Sequence, residues 1–225
     1  ISAQRVIPNT RCADSYTQQG GTALEQKGVT IWFTGMSGSG KTALAIPLEE
    51  ELGKRGLRVE RLDGDIVRQS LTRDLGFTKE DRDKNIERIT FVAKLLTRNG
   101  VAVLCSFISP YRAVRAKVRE EVGNFVEVYC YAPLETLIDR DVKGLYKKAL
   151  AGEIENFTGI SDPYEPPESP DVTIDSSAET VEESLAKILR RLEELGYAPP
   201  SKEAEPYTAE EEAEIEARLE ALGYL

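Results

Sequence analysis

Gly35-Met36-Ser37-Gly38-Ser39-Gly40-Lys41-Thr42 fits the pattern G-x-x-x-x-G-K-[ST], directly after the apolar run Val29 to Phe33 and before a helical stretch. That context restricts the fold more than any other feature of the chain. Glycines at these positions let successive backbone N–H groups converge on phosphate oxygens, and a helix starting near Gly40 adds its positive end. Lys41 is then placed to reach the β and γ phosphates of ATP, and the Thr42 hydroxyl to ligate Mg²⁺. Gly35, Ser37, Gly38, Ser39 and Gly40 would form the cradle, with Ala43 opening the helix. The competing reading is a glycine-rich turn that merely joins strand to helix.

Further apolar runs recur at Leu57–Leu62, Val101–Phe107, Phe125–Tyr131 and Val172–Ile174, with helical stretches between them. Such alternation predicts an α/β fold with a parallel, doubly wound sheet, because only crossover helices join parallel neighbours. Thr78 precedes a helix whose Ile86, Ile89, Ala93 and Leu96 share a face, and Gly100 stands where a left-handed C-terminal cap is wanted. Val181, Leu185, Ile188, Leu189, Leu192 and Leu195 form a second stripe ending before Gly196. Pro47, past the first turn of the helix after the phosphate loop, removes a donor and predicts a bend.

The pattern divides the chain into an arm over 1–26, a domain over 27–198 and a Pro-linked helix over 199–225. The arm is polar and shows no sustained period. In the last segment Thr208 and Glu211 make a capping-box pair ahead of Ile215, Leu219 and Leu222. That narrow stripe needs a partner surface, on this domain or on a second subunit.

Asp63-Gly64-Asp65 ends the second strand, with Arg68 a helical turn on. Parallel sheets bind ligands at the carboxyl ends of their strands, so both carboxylates should face the phosphate loop. Asp63 is assigned to the metal side and Asp65 to orienting an attacking hydroxyl, although the two roles are interchangeable from sequence. A purely structural acidic turn that caps a helix would need only one aspartate. Arg82 and Asn85 continue the inward face of the helix after Thr78, where a cation and an amide are costly to bury unless an anionic ligand supplies partners. The bland alternative is an exposed first turn. Phe77 is equally a core residue or a stacking platform for a base. Arg140, Lys143, Lys147 and Lys148 gather positive charge in 139–148, ahead of Gly152, Phe157-Thr158-Gly159 and a Pro-rich stretch. The segment 139–170 reads as a lid that closes over phosphates, against a simple solvated helix.

Net charge −10 argues against a surface that tracks nucleic acid. The three cysteines, with no histidine, suit neither a disulfide framework nor a zinc site. Absence of histidine leaves acid–base work to carboxylates, lysines or water. No stretch approaches the roughly 18 apolar residues of a membrane span, and a secretory apolar core is lacking, so a cytoplasmic protein is expected.

Taken together these segments resemble the adenylylsulfate kinase family. The matching residues are Gly35–Thr42; Leu62-Asp63-Gly64-Asp65 with Arg68; Leu75-Gly76-Phe77; Asp81-Arg82 with Asn85; Ser106 to Arg112; Lys143 to Ala149; and Phe157-Thr158-Gly159-Ile160. They occur in the family's order over roughly Lys27 to Tyr197. The resemblance implies transfer of the γ-phosphoryl group of MgATP to the 3′-hydroxyl of adenosine 5′-phosphosulfate. It implies five parallel strands in a P-loop NTPase fold of the nucleoside-monophosphate-kinase type, and a homodimer. Asp65, Arg68, Phe77, Arg82, Asn85, Ile108, Ser109, Lys143 and Phe157 would line the acceptor pocket, with Phe77 and Phe157 sandwiching the adenine. Gly38 through Ala43 would hold ATP, and Arg140 and Ala178-Glu179-Thr180 would lie on its adenine side. Lys41, Asp63, Asp65 and Lys143 would carry catalysis, with Thr42 and Asp63 at the metal. Two departures stand out: Ala43 where a second hydroxyl residue is common, and Asn156 where glycine is common. Cys12 and Cys105 do not fall on the positions of the redox switch of plant relatives. The rivals are a kinase of the same fold acting on another small molecule such as a sugar acid, and a nucleotide-binding regulatory module that has lost catalysis.

Overall fold

The computed structural model describes residues 26–200; the N-terminal arm and the C-terminal helix expected from sequence lie outside the described residues. Five strands, β1 (Val29–Thr34), β2 (Val59–Asp63), β3 (Ala102–Ser106), β4 (Phe125–Tyr131) and β5 (Val172–Asp175), form one parallel sheet in the order β2-β3-β1-β4-β5. The four later apolar runs of the sequence supply β2 to β5; β4 has the expected bounds, and the others differ by at most two residues at either end.

β1 is buried along its whole length, and its alternation feeds two cores. Val29, Ile31 and Phe33 face one side, where they meet Leu44, Ala45, Leu48 and Leu52 of α1 (Lys41–Lys54) and Ile188, Leu189 and Leu192 of α7 (Val181–Glu194). Trp32 faces the other side, against Ile86, Ile89 and Ala93 of α3 (Lys79–Arg98) and Val118 of α4 (Arg112–Val122). Burial of each such large side chain contributes about 1.5–3 kcal/mol, and the two faces together clamp β1. A fixed β1 fixes the loop that leaves its end.

Thr78 caps α3 by accepting from the Asp81 amide, and Gly100 follows the helix at φ 74°. α7 carries a capping box: Thr180 and Glu183 bond each other's backbone reciprocally. α1 runs on as one helix through Pro47. The short helix α2 (Gly64–Val67) follows β2 directly. Two further helices, α5 (Leu134–Arg140) and α6 (Leu145–Leu150), precede an irregular segment that returns to β5, and a third cluster of Leu137, Tyr146, Ala149 and Phe157 lies under them. Cys105 and Cys130 are buried free thiols, and burial pushes both up, Cys130 to about 12. Among the described residues no helix is long and apolar enough to cross a membrane.

Candidate active site

A cavity of about 670 Å³ opens at the carboxyl ends of β1, β2 and β3, where the strand order reverses. One wall is the phosphate loop. Gly40 caps α1 without any side-chain hydrogen bond, and the first turn of α1 carries no acidic residue, so the positive helix end is left for an anion. Gly35 sits at φ 145°, and a Cβ there would stand 2.2 Å from the Cys130 carbonyl, so only glycine lets the loop cross β4 so closely. Lys41 Nζ donates to the carbonyls of Gly35 (2.8 Å) and Met36 (2.7 Å). Burial brings its pKa down to about 8. Ser39 Oγ is buried with no hydrogen-bond partner.

The second wall is built from β2 and α2. Asp63 accepts from Thr42 Oγ1 at 2.7 Å and from the Asp65 amide at 2.9 Å, so it caps α2 while touching the phosphate loop. Asp65 is exposed and pairs with Lys143 from the turn between α5 and α6. Arg68 donates to the carbonyls of Leu75 and Gly76, and its guanidinium lies 4.4 Å from the Phe77 ring centroid.

The floor is polar and buried. Asn85 is 5 % exposed and its Oδ1 has no partner. Ser109, at φ 38°, accepts from Trp32 Nε1 at 2.9 Å. The third wall comes from α6 and the irregular segment that follows it. Tyr146 donates to the Ser37 carbonyl at 2.8 Å, and its ring meets Phe157 edge to face at 5.0 Å.

The cavity thus gathers Ser37, Gly38, Gly40, Lys41, Thr42, Ala43, Asp63, Asp65, Arg68, Phe77, Arg82, Asn85, Ile108, Ser109, Lys143 and Phe157. Gly35, Ser39 and Arg140 lie outside its lining. Arg140 instead donates to Ser176 Oγ and the Ser176 carbonyl, tying α5 to the loop after β5. Glu179 stabilises that same loop through the Asp175 amide and Lys187. Arg82 does not lack partners, contrary to the expectation from sequence: it forms a 2.6 Å ion pair with Asp162. Sequence reasoning also missed Tyr164, which shares a 3.0 Å hydrogen bond with Thr34 just before the phosphate loop. It missed Arg115, buried at 2.9 Å from Glu127 and donating to the Ser109 carbonyl at 2.6 Å. The only signal for that pair was a glutamate in the middle of an apolar strand.

Among the described residues no cluster of His, Cys, Asp and Glu could hold a metal alone. Mg²⁺ bound with a nucleotide takes most ligands from phosphate and water, so the Thr42 hydroxyl beside the Asp63 carboxylate is a fitting donor set. A helix end capped by no side chain, a partly buried lysine and glycine turns likewise fit a nucleoside triphosphate.

A phosphate loop at the end of a central parallel strand, sharing one cavity with a second, cation-bearing pocket, defines a P-loop phosphotransferase for small molecules. The family model for adenylylsulphate kinase matches residues 27–175. An adenylyl-sulfate kinase of Halothermothrix orenii is 66% identical over 172 residues, covering 76% of this chain and 93% of that protein. The APS kinase of Mycobacterium tuberculosis, solved in complex with AMPPNP and APS, is 43% identical with a TM-score of 0.71 over 75% of this chain and 99% of that one. A hexameric APS kinase from Thiobacillus denitrificans is 37% identical, TM-score 0.59, over 77% of this chain and 30% of that one. The chain belongs to the adenylylsulfate kinase family, and its activity is the family's phosphoryl transfer to adenylyl sulfate.

Proposed function

We propose that residues 27–198 form the catalytic unit and that its acceptor, adenosine 5′-phosphosulfate, lies between the phosphate loop and the lid, its 3′-hydroxyl facing the γ phosphate. The observation that carries this is the single cavity lined both by Lys41 and Thr42 and by Asp65, Arg68, Phe77 and Phe157.

Each residue's task follows from its surroundings. Loop amides of Ser37 to Thr42 and the amine of Lys41 bind the phosphates of ATP and meet the charge that spreads during in-line transfer. The Thr42 hydroxyl and Asp63 would hold Mg²⁺, which, when bound, neutralises phosphate charge. Asp63 is already the α2 cap, so its position is set before any ligand arrives. Asp65 orients the acceptor hydroxyl and accepts its proton at a carboxylate oxygen. Lys143 comes from the lid to the same point and pairs with the Asp65 carboxylate. Arg68, Asn85 and Ser109 contact the phosphosulfate side, while Phe77 and Phe157 stack on the adenine. Phe77 is 62 % exposed and carries the Arg68 guanidinium 4.4 Å from its ring centroid. The segment 139–170 acts as the lid and excludes water from the transfer, with Tyr146 as its contact to the phosphate loop.

A cytoplasmic homodimer, without nucleic-acid or membrane partners, completes this reading, in contrast to the hexameric Thiobacillus relative. Intact Lys41, Thr42, Asp63 and Asp65 oppose a regulatory module without catalysis. The test is steady-state kinetics of Asp65→Asn. A fall in kcat of at least about 100-fold with little change in the KM for ATP supports the assignment. A wild-type kcat removes Asp65 from the chemistry.

A further inference from the structure

Arg82 is a cross-link between the two aromatic segments of the acceptor pocket. Its Nε donates to the Phe77 carbonyl at 3.0 Å. One terminal nitrogen donates to Thr158 Oγ1 at 2.7 Å and to Asp162 Oδ2 at 2.6 Å, and the other to the Asn156 carbonyl. A guanidinium so committed keeps a single N–H to spare. Its acceptors belong to Phe77 itself, to the residues on either side of Phe157, and to Asp162.

Asp162 is the charged end of this link and also closes the turn that holds Phe157. Its carbonyl accepts from the Gly159 amide at 2.7 Å, its amide donates to the Phe157 carbonyl at 3.1 Å, and it bridges to Thr158 in parallel register. The Tyr111 hydroxyl donates to the same carboxylate oxygen as Arg82, at 3.1 Å. Both partners of the ion pair are largely shielded, with side chains 12 % and 21 % exposed, unlike the open Asp65–Lys143 pair. Charge-assisted bonds in such a setting hold geometry firmly.

We infer that Asp162 is a positioning residue which, through Arg82, fixes the separation of Phe77 and Phe157 and thereby the width of the slot for the acceptor's base. The inference rests on the stacking role proposed for the two phenylalanines. A base held between two rings needs them about 7 Å apart, twice the van der Waals contact, and a spacing lost by an ångström forfeits much of that contact. Asp162 itself does not line the cavity. Its influence therefore runs through the positions of Phe157 and Arg82.

Two roles for Asp162 then give opposite results. If it only masks a cation meant for the phosphosulfate, its removal frees Arg82 and acceptor binding tightens. If it sets the slot, removal weakens acceptor binding alone. The test is kinetics of the full chain carrying Asp162→Ala, Phe157→Ala and both, with Asp162→Asn as the variant that keeps the turn's shape and circular dichroism to verify folding. For Asp162→Ala we expect the KM for adenosine 5′-phosphosulfate to rise about tenfold, the cost of a lost charge-assisted bond. The kcat and the KM for ATP should stay within about twofold. Asp162→Asn should give a smaller rise in the same direction, and Asp162→Ala should add little once Phe157 is already alanine. An acceptor KM raised by Phe157→Ala but unmoved or lowered by the Asp162 variants overturns the inference and leaves the stacking role standing. An acceptor KM unmoved by Phe157→Ala removes both.

Discussion

Thr42 Oγ1 donates to Asp63 Oδ2 at 2.7 Å, joining the first turn of α1 to the last residue of β2 across the mouth of the cavity. The other Asp63 oxygen holds the Asp65 amide. One carboxylate thus ties the phosphate loop to α2.

Asp63→Ala should therefore cost two things at once. Loss of the α2 cap should lower stability by about 1 kcal/mol, measured by urea unfolding. Loss of the carboxylate beside Thr42 should lower kcat roughly 100-fold. Asp63→Asn, which keeps a capping oxygen, should restore most of the stability and little of the activity.

The legible part of this arrangement was local. A phosphate-loop pattern, apolar runs and the Thr78 cap depend on neighbours a few residues apart, so the five strands and α3 were readable in the chain. Asp63 and Asp65 were readable as a pair at a strand end, but not that Asp63 does the capping. From sequence Arg82 is a cation in search of an anion, because its partner, Asp162, is 80 residues away. The link from Thr34 to Tyr164 spans 130 residues and was equally invisible. Glu127 is conspicuous within an apolar strand, but only the folded α4 shows that its partner is Arg115.

Lys41 should make ATP binding depend on pH. Burial lowers its pKa from 10.5 to about 8 in the free protein, while the unfolded chain keeps the ordinary value. Between those two values the unfolded state binds more protons than the folded one, so Lys41 adds stability as pH rises from about 8 toward 10.5. Phosphates favour the charged amine, so ATP binding should take up a proton above about pH 8 and weaken as pH rises. Calorimetry in buffers of different ionisation enthalpy measures that uptake, and Lys41→Met should abolish it.

Tyr146→Phe removes only the hydroxyl that reaches the Ser37 carbonyl and keeps the ring against Phe157. The expected result is a drop in kcat/KM for ATP of about fivefold to tenfold, with the acceptor KM little changed, since one hydrogen bond to the phosphate loop is lost. Steady-state kinetics with each substrate varied checks it.

Arg115 and Glu127 are both buried, 3 % and 10 % exposed at the side chain. Glu127→Ala leaves an uncompensated guanidinium inside and should cost about 3 kcal/mol in urea unfolding, whereas the double change Arg115→Met with Glu127→Leu should cost less than the single one. A single variant as stable as the wild type would show that water reaches the Arg115 guanidinium and replaces the carboxylate.

The measurement that tests the central claim most directly is anion-exchange analysis of products after incubation with MgATP and adenosine 5′-phosphosulfate, with phosphorus NMR to locate the new phosphate. An adenylylsulfate kinase with Asp65 at the acceptor hydroxyl must yield a 3′-phosphorylated product, formed in step with ADP and absent with Asp65→Ala. Intact ATP beside unchanged adenosine 5′-phosphosulfate, or a phosphate at any other position, would contradict it.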